Sequence, residues 1–440
     1  MFTTLKNAFK IKEIRNKLFF TFLMLVVIRI GSQLPVPGVN REYFAYWFSQ
    51  QQASDAFSLL DAFTGGSFSS MSILALNINP YITSSIIMQL LTIAIPKLEE
   101  MQRDGEDGRK KITTITRYVT VALALLEASV MVIGFGNQGL LQEFTTMNII
   151  TAVAALTAGS AFLMWIGERI TEKGVGNGIS IVLVINIISR MPQEIGGLFE
   201  QFVFGKKVAI AVVAAAIILA IIFGMTALVV ILNGGVRKIP VQYAKKVQGR
   251  KMVGGQTSNI PLKVNTAGVI PIIFASSIMQ LPIIISSFAK YSGTGIWSEI
   301  LKALNSGYWC KFTAGQWYYS IGLVLYIVLV IFFAYFYTSI TFNPLEISEN
   351  MKKQGGFIPG IRPGKPTSDY LTRILNYIIF IGAVGLTIVG ILPFIFNGVF
   401  NTSVSFGGTS IIIVVSVVLE TMKQIESQML VRNYKGFLND

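Results

Sequence analysis

The sequence predicts an all-α integral membrane protein with ten spanning helices arranged as two inverted five-helix halves. An apolar composition, ten apolar stretches of spanning length and the placement of the positive charges predict it. Of 440 residues, 52% are hydrophobic and only 13% charged, and the mean hydropathy is +0.62. Soluble domains carry about 25% charged residues. A water-soluble chain of this composition would hold more apolar surface than one core can hide, whereas a bilayer is itself an apolar solvent.

About 20 apolar residues cross a bilayer as a helix. Stretches near 18–36, 76–95, 115–135, 148–168, 179–197, 208–232, 267–288, 317–340, 372–396 and 408–430 meet that length. Each carries Gly, Ser, Thr or Pro, residue types that suit close helix packing in lipid. Leu18–Ile28 follows a basic stretch as a signal peptide would, but Arg29 and Pro35 come next and no small-x-small cleavage site does. It is therefore expected to be a retained first span.

Charge orients the spans. With both termini in the cytoplasm, most of the 36 Lys and Arg fall in cytoplasmic segments, and the external loops 136–147 and 397–407 contain none. The positive-inside rule selects that orientation. The ten spans divide near residue 205 into an N-terminal half, 1–205, and a C-terminal half, 206–440. An odd number per half forces the halves to face opposite ways, the topology of an inverted repeat with a site or pore between them.

The net charge of +14 belongs to this loop asymmetry; a nucleic-acid reading survives only as ribosomal RNA met at the membrane surface. A single cysteine, Cys310, and no histidine exclude a disulfide within the chain and argue against zinc and His-based catalysis. No metal, cofactor or catalytic residue is expected. GIRPGKPT (Gly360–Thr367) lacks the GxxxxGK[ST] spacing of a phosphate-binding loop, and KGVGNGIS (Lys173–Ser180) opens a membrane helix instead of following a soluble strand. The chain reads as no enzyme, and energy for any work must come from a partner or the membrane potential.

Three segments are not simple spans. Phe57–Leu74, FSLLDAFTGGSFSSMSIL, is apolar but broken by Gly65-Gly66 and serines. It reads as an external loop or a re-entrant half-helix; irregular backbone at membrane depth survives only inside protein or beside water. Two cytoplasmic loops, about 233–265 and 342–371, are long and basic. Gly355-Gly356, Pro359-Gly360 and Pro363-Gly364 predict tight turns that present Arg362 in a fixed place.

Eight strings occur in one order along nearly the whole chain: RIGSQLPVPG (Arg29–Gly38), LLDAFTGG (Leu59–Gly66), NPYITSSIIMQLL (Asn79–Leu91), KGVGNGIS, YAKKVQGR, LKVNTAGVIPIIF (Leu262–Phe274), FNPLEISENMKKQGGFIPGIRPG and FGGTSIIIVVSV (Phe406–Val417). Together they resemble the SecY family, the pore subunits of the bacterial protein-export channel. The resemblance implies two halves closing like a clam shell around an hourglass pore, with 57–74 as a short re-entrant plug helix that includes Leu59, Leu60, Phe63, Gly65 and Gly66. It puts an aliphatic pore ring at Ile78, Ile82, Ile179, Leu183, Ile273 and Ile413. Such a collar passes unfolded chains without binding them and resists wetting when closed. A lateral gate between spans 2–3 and 7–8 is implied, with Thr83, Glu127 and Gln280 near its polar positions.

The implied function is passage of unfolded secretory polypeptides across the bacterial plasma membrane and sideways release of apolar signal or anchor segments into lipid. The implied partners are SecE and SecG within the membrane. At the cytoplasmic face they are the ATPase SecA and the ribosome, received by Arg237, Lys238, Lys245, Lys246, Arg250, Lys251, Lys352, Lys353 and Arg362. Asn77 and Asn79 depart from the family pattern and put polar groups beside the ring. From residues alone, a secondary transporter of a small solute with inverted repeats is the alternative; the scattered placement of Arg29, Glu127 and Glu420 and the long basic loops argue against it.

Overall fold

The computed structural model describes residues 8–51, 61, 64–204, 208–243, 246–248, 251–253, 257–288, 295–310, 317–400 and 408–436. Its helices are α1 (Lys12–Gly31), α2 (Arg41–Gln51), α3 (Asn79–Ala94), α4 (Pro96–Arg103), α5 (Glu106–Phe135), α6 (Thr146–Lys173), α7 (Gly178–Phe202), α8 (Val208–Gly234), α9 (Ile270–Phe288), α10 (Ile296–Leu304), α11 (Ile321–Thr341), α12 (Pro344–Lys353), α13 (Lys365–Phe400) and α14 (Gly408–Gly436). Each of the ten apolar stretches falls on one of them: α1, α3, α5, α6, α7, α8, α9, α11, α13 and α14. Six helices among the described residues are long and apolar enough to cross a membrane, and there are seven where α3 and α4, bent by 106°, are counted as one span. Charge explains the shortfall of α1, which holds Lys12, Glu13, Arg15, Lys17 and Arg29.

Local chemistry sets the boundaries. Pro80 sits in the first turn of α3, where its missing N–H costs no bond. Asn177 caps α7 by accepting from the amides of Ile179 and Ser180, satisfying donors that the first turn leaves free. Pro96 opens α4 after Ile95 turns extended, which produces the bend between α3 and α4.

α7 packs on α14 and α8, and α5 meets α9. One buried cluster draws on α8, α9, α11, α13 and α14, another on α2, α5 and α6, and a third, around Ile78, Leu183 and Ile413, brings α1, α3, α6 and α7 together with α14. Outside the spans the sequence predicts no strands, yet five form among the described residues. Val236–Tyr243 (β1) pairs antiparallel with Thr257–Lys263 (β4) and, at its far end, with Gly356–Phe357 (β5). Lys246–Gln248 (β2) and Lys251–Val253 (β3) make a separate hairpin. The two basic loops, about a hundred residues apart in sequence, thus share one sheet of order β4-β1-β5.

Candidate functional site

An aliphatic cluster forms where α3, α6 and α7 meet α14. Ile78, Leu183 and Ile413 are 0%, 8% and 2% exposed, and Ile82 and Ile179 pack against them partly buried. Ile78 caps α3, Ile82 lies one turn on, Ile179 and Leu183 are one turn apart on α7, and Ile413 comes from α14. Residues four apart share a helix face, so each pair points into the same place. The sixth expected member, Ile273, is half-buried on α9 and is not brought into that cluster; Val269, whose carbonyl accepts from the Ile273 amide, is.

The segment leading into α3 is anchored on the N-terminal half. The described part is Asp61 and the turns of Thr64–Ile78; Leu59, Leu60 and Phe63 lie outside the described residues. Ser72 bridges Pro35, and the amides of Val36 and Ile73 pair with the carbonyls of Met71 and Leu34. Phe68, Met71, Ala75 and Leu76 pack with Phe44, Phe48, Phe135 and Leu156 in one buried cluster. Gly65 adopts φ +66°, and a Cβ there would lie 2.9 Å from the Asn186 Cα and carbonyl oxygen. Only glycine combines that backbone with that approach. Asp61 is fully buried, forms an ion pair with Arg190 of α7 and accepts from the Ser69 amide at 2.8 Å. The Arg29 guanidinium donates to the Gly65 carbonyl at 3.5 Å.

Asn77 does not wet the cluster. It is 1% exposed, its Oδ1 accepts from Asn186 Nδ2 at 2.9 Å, and its carbonyl accepts from Ser160 Oγ at 3.0 Å. Its polar atoms are consumed inside the half. Asn79 is half-buried in the first turn of α3.

The shared sheet and α12 rest on a buried apolar layer of Ile239, Val241, Leu262, Met351, Ile358, Leu371 and Leu375. Gly355, Gly360 and Gly364 all have positive φ, as the turn chemistry predicts. The Thr367 hydroxyl donates to the Arg362 carbonyl at 2.9 Å and Ser348 Oγ to the Gly364 carbonyl at 2.7 Å. Arg362 is therefore exposed on a fixed backbone, in company with exposed Arg237, Lys238, Lys352 and Lys353. Lys245 and Arg250 lie outside the described residues, as do the side chains of Lys246 and Lys251.

A SecY family model matches residues 72–422. The chain belongs to the SecY family. The protein translocase subunit SecY of Halalkalibacterium halodurans is 43% identical over 451 residues, covering 100% of both chains. In fold the chain is similar to a solved protein-conducting channel at a TM-score of 0.64, with 19% identity over 94% of this chain and 93% of that one. It is similar also to a SecY whose plug domain stabilises the closed state and maintains a membrane seal, at a TM-score of 0.63, with 20% identity over 94% and 92% of the two chains. SecY membership makes the chain a channel subunit of a protein translocase, and not an enzyme; the small-solute transporter is not supported.

In SecY terms the remaining expected residues divide. Thr83 is exposed on α3, and Glu127 is half-buried on α5, the helix that meets α9. The side chain of Gln280 lies outside the described ones. Sequence reasoning missed Asp61, Asn186 and Arg190. The available signal was a charge inside each of two apolar stretches, which in membrane proteins asks for a partner. No group of three or more metal-ligating side chains occurs among the described residues.

Proposed function

We propose that this chain forms the pore through which unfolded secretory polypeptides cross the plasma membrane, with both termini cytoplasmic and ten spans in halves 1–205 and 206–440. One observation carries this reading: the aliphatic cluster of Ile78, Ile82, Ile179, Leu183 and Ile413 lies at the seam of the two halves, where the turn segment enters α3. Apolar groups without directional hydrogen bonds seal against ions and let any side chain pass. The ring is completed by Ile273, the plug is the 57–74 segment, and apolar segments leave between α3 or α5 and α9 or α11 past Thr83, Glu127 and Gln280.

SecA and the ribosome dock on the cytoplasmic sheet, and SecE and SecG join within the membrane. Exposed arginines and lysines on a rigid sheet suit RNA phosphates or acidic protein patches. The test is reconstitution of the chain with SecE and SecG in vesicles, followed by addition of a secretory precursor, SecA and ATP. Precursor should become protease-protected inside the vesicles, dependent on ATP. Vesicles that are intact and SecA-loaded yet protect no precursor would contradict the reading.

A further inference from the structure

We infer that α7 carries a two-point polar clasp, Arg190 on Asp61 and Asn186 on Asn77, that positions the plug over the ring in the closed channel. The inference rests on the reading of 57–74 as the plug.

Asn186 and Arg190 are one helical turn apart on α7 and so present one face. The two residues they hold, Asp61 and Asn77, lie 16 positions apart in sequence and bracket the described turn segment. Ser189 adds to the face: a Cβ on Gly65 would lie 2.9 Å from its hydroxyl. Between the two pairs the described residues of the segment are also held by the Phe68–Met71 cluster, the bridge from Pro35 to Ser72 and the Arg29 bond to Gly65.

Each pair is costly to break from one side. Asp61 is fully buried, and removing Arg190 would strand a carboxylate away from water. Removing Asn186 would take away the donor to Asn77 Oδ1, on a residue that is 1% exposed. When the segment leaves, both partners can reach water if the pore fills. The clasp therefore favours the dry, closed arrangement over a closed channel with a loosened plug.

The test uses the complete translocase in lipid vesicles and reads passive leak of a small anion without substrate. The set is Arg190→Leu, Asp61→Asn, the double variant Asp61→Asn/Arg190→Leu, Asn186→Leu, Arg190→Lys and a deletion of residues 61–71. Asp61→Asn keeps an acceptor for the Ser69 amide and removes only the charge. The expected result is a leak at least tenfold above the parent in Arg190→Leu, and no greater in the double variant, because the stranded carboxylate is gone. Arg190→Lys, which keeps the charge and loses the planar fork, should assemble normally and leak to an intermediate level; it serves if Arg190→Leu fails to assemble. Single variants as tight as the parent, or effects that multiply in the double, would overturn the clasp while a leaking deletion leaves the plug reading intact. A deletion that stays tight would remove the plug reading itself.

Discussion

The turn segment leading into α3 and the β4-β1-β5 sheet are both inserts between long apolar helices, both shaped by glycines at positive φ, and they use charge in opposite ways. Asp61 is fully buried and paired inside the chain with Arg190. Arg237, Lys238, Lys352, Lys353 and Arg362 stand exposed on a backbone fixed by the β4-β1-β5 sheet and its apolar layer. A charge taken out of water must find its partner within the fold. A charge left in water on a rigid base remains available to a partner from outside. In the proposed reading, the contrast separates a residue that holds the channel shut from residues that receive what drives it.

The largest expected effect is on the docking side. Arg362→Glu should lower SecA-driven translocation by about tenfold or more with assembly and passive leak unchanged; a normal rate would erase the contrast. Next is Gly65→Ala, which puts a Cβ 2.9 Å from the Asn186 backbone at φ +66°. Such strain costs about 1–3 kcal/mol, and it should appear as raised passive leak with normal SecA binding. Third is Asn343→Ala. Its side chain accepts from the amides of Leu345 and Glu346 at 3.2 and 3.4 Å to cap α12. Losing a cap costs about 1 kcal/mol, expected as faster hydrogen exchange across α12 without added leak.

The smallest effect concerns α10. Glu299 is held below its ordinary value by the hydrogen bond from Tyr319 and then by Lys302; its partner Lys302 is held above its own by Glu299. A depressed carboxyl contributes stability that is present above its unfolded value, about 4.5, and lost as pH falls through the folded one. The raised Lys302 contributes below about 10.5 and loses that as pH rises further. Trp297 fluorescence should differ between the parent and Glu299→Gln at neutral pH, and the difference should vanish in acid below the folded carboxyl value. A difference that persists there would show that the contact does not depend on the carboxylate.

Much of this was legible in the sequence, for physical reasons. Spanning helices announce themselves by length and apolarity, and Gly355, Gly360 and Gly364 announced the turns that fix Arg362. The shared sheet was not legible, because β1 and β5 pair across about a hundred residues and neither alternates strongly enough to stand out. The clasp was hidden for a related reason. Asp61 and Arg190 each look like an isolated charge in an apolar run until the fold brings them together. Asn77 reads in the sequence as a polar group beside the ring, and in the fold it is consumed by Asn186 and Ser160. Sequence shows that a polar group is present; its partner decides what it does.

The central claim is that polypeptide passes through the seam between the halves. A photo-crosslinker placed separately at Ile82, inside the aliphatic cluster, and at Ile273, beside it on α9, tests this with a tagged secretory chain stalled by SecA and ATP. The account predicts crosslinks to the middle of the stalled chain from both positions. Continued export with no crosslink from either position would contradict it.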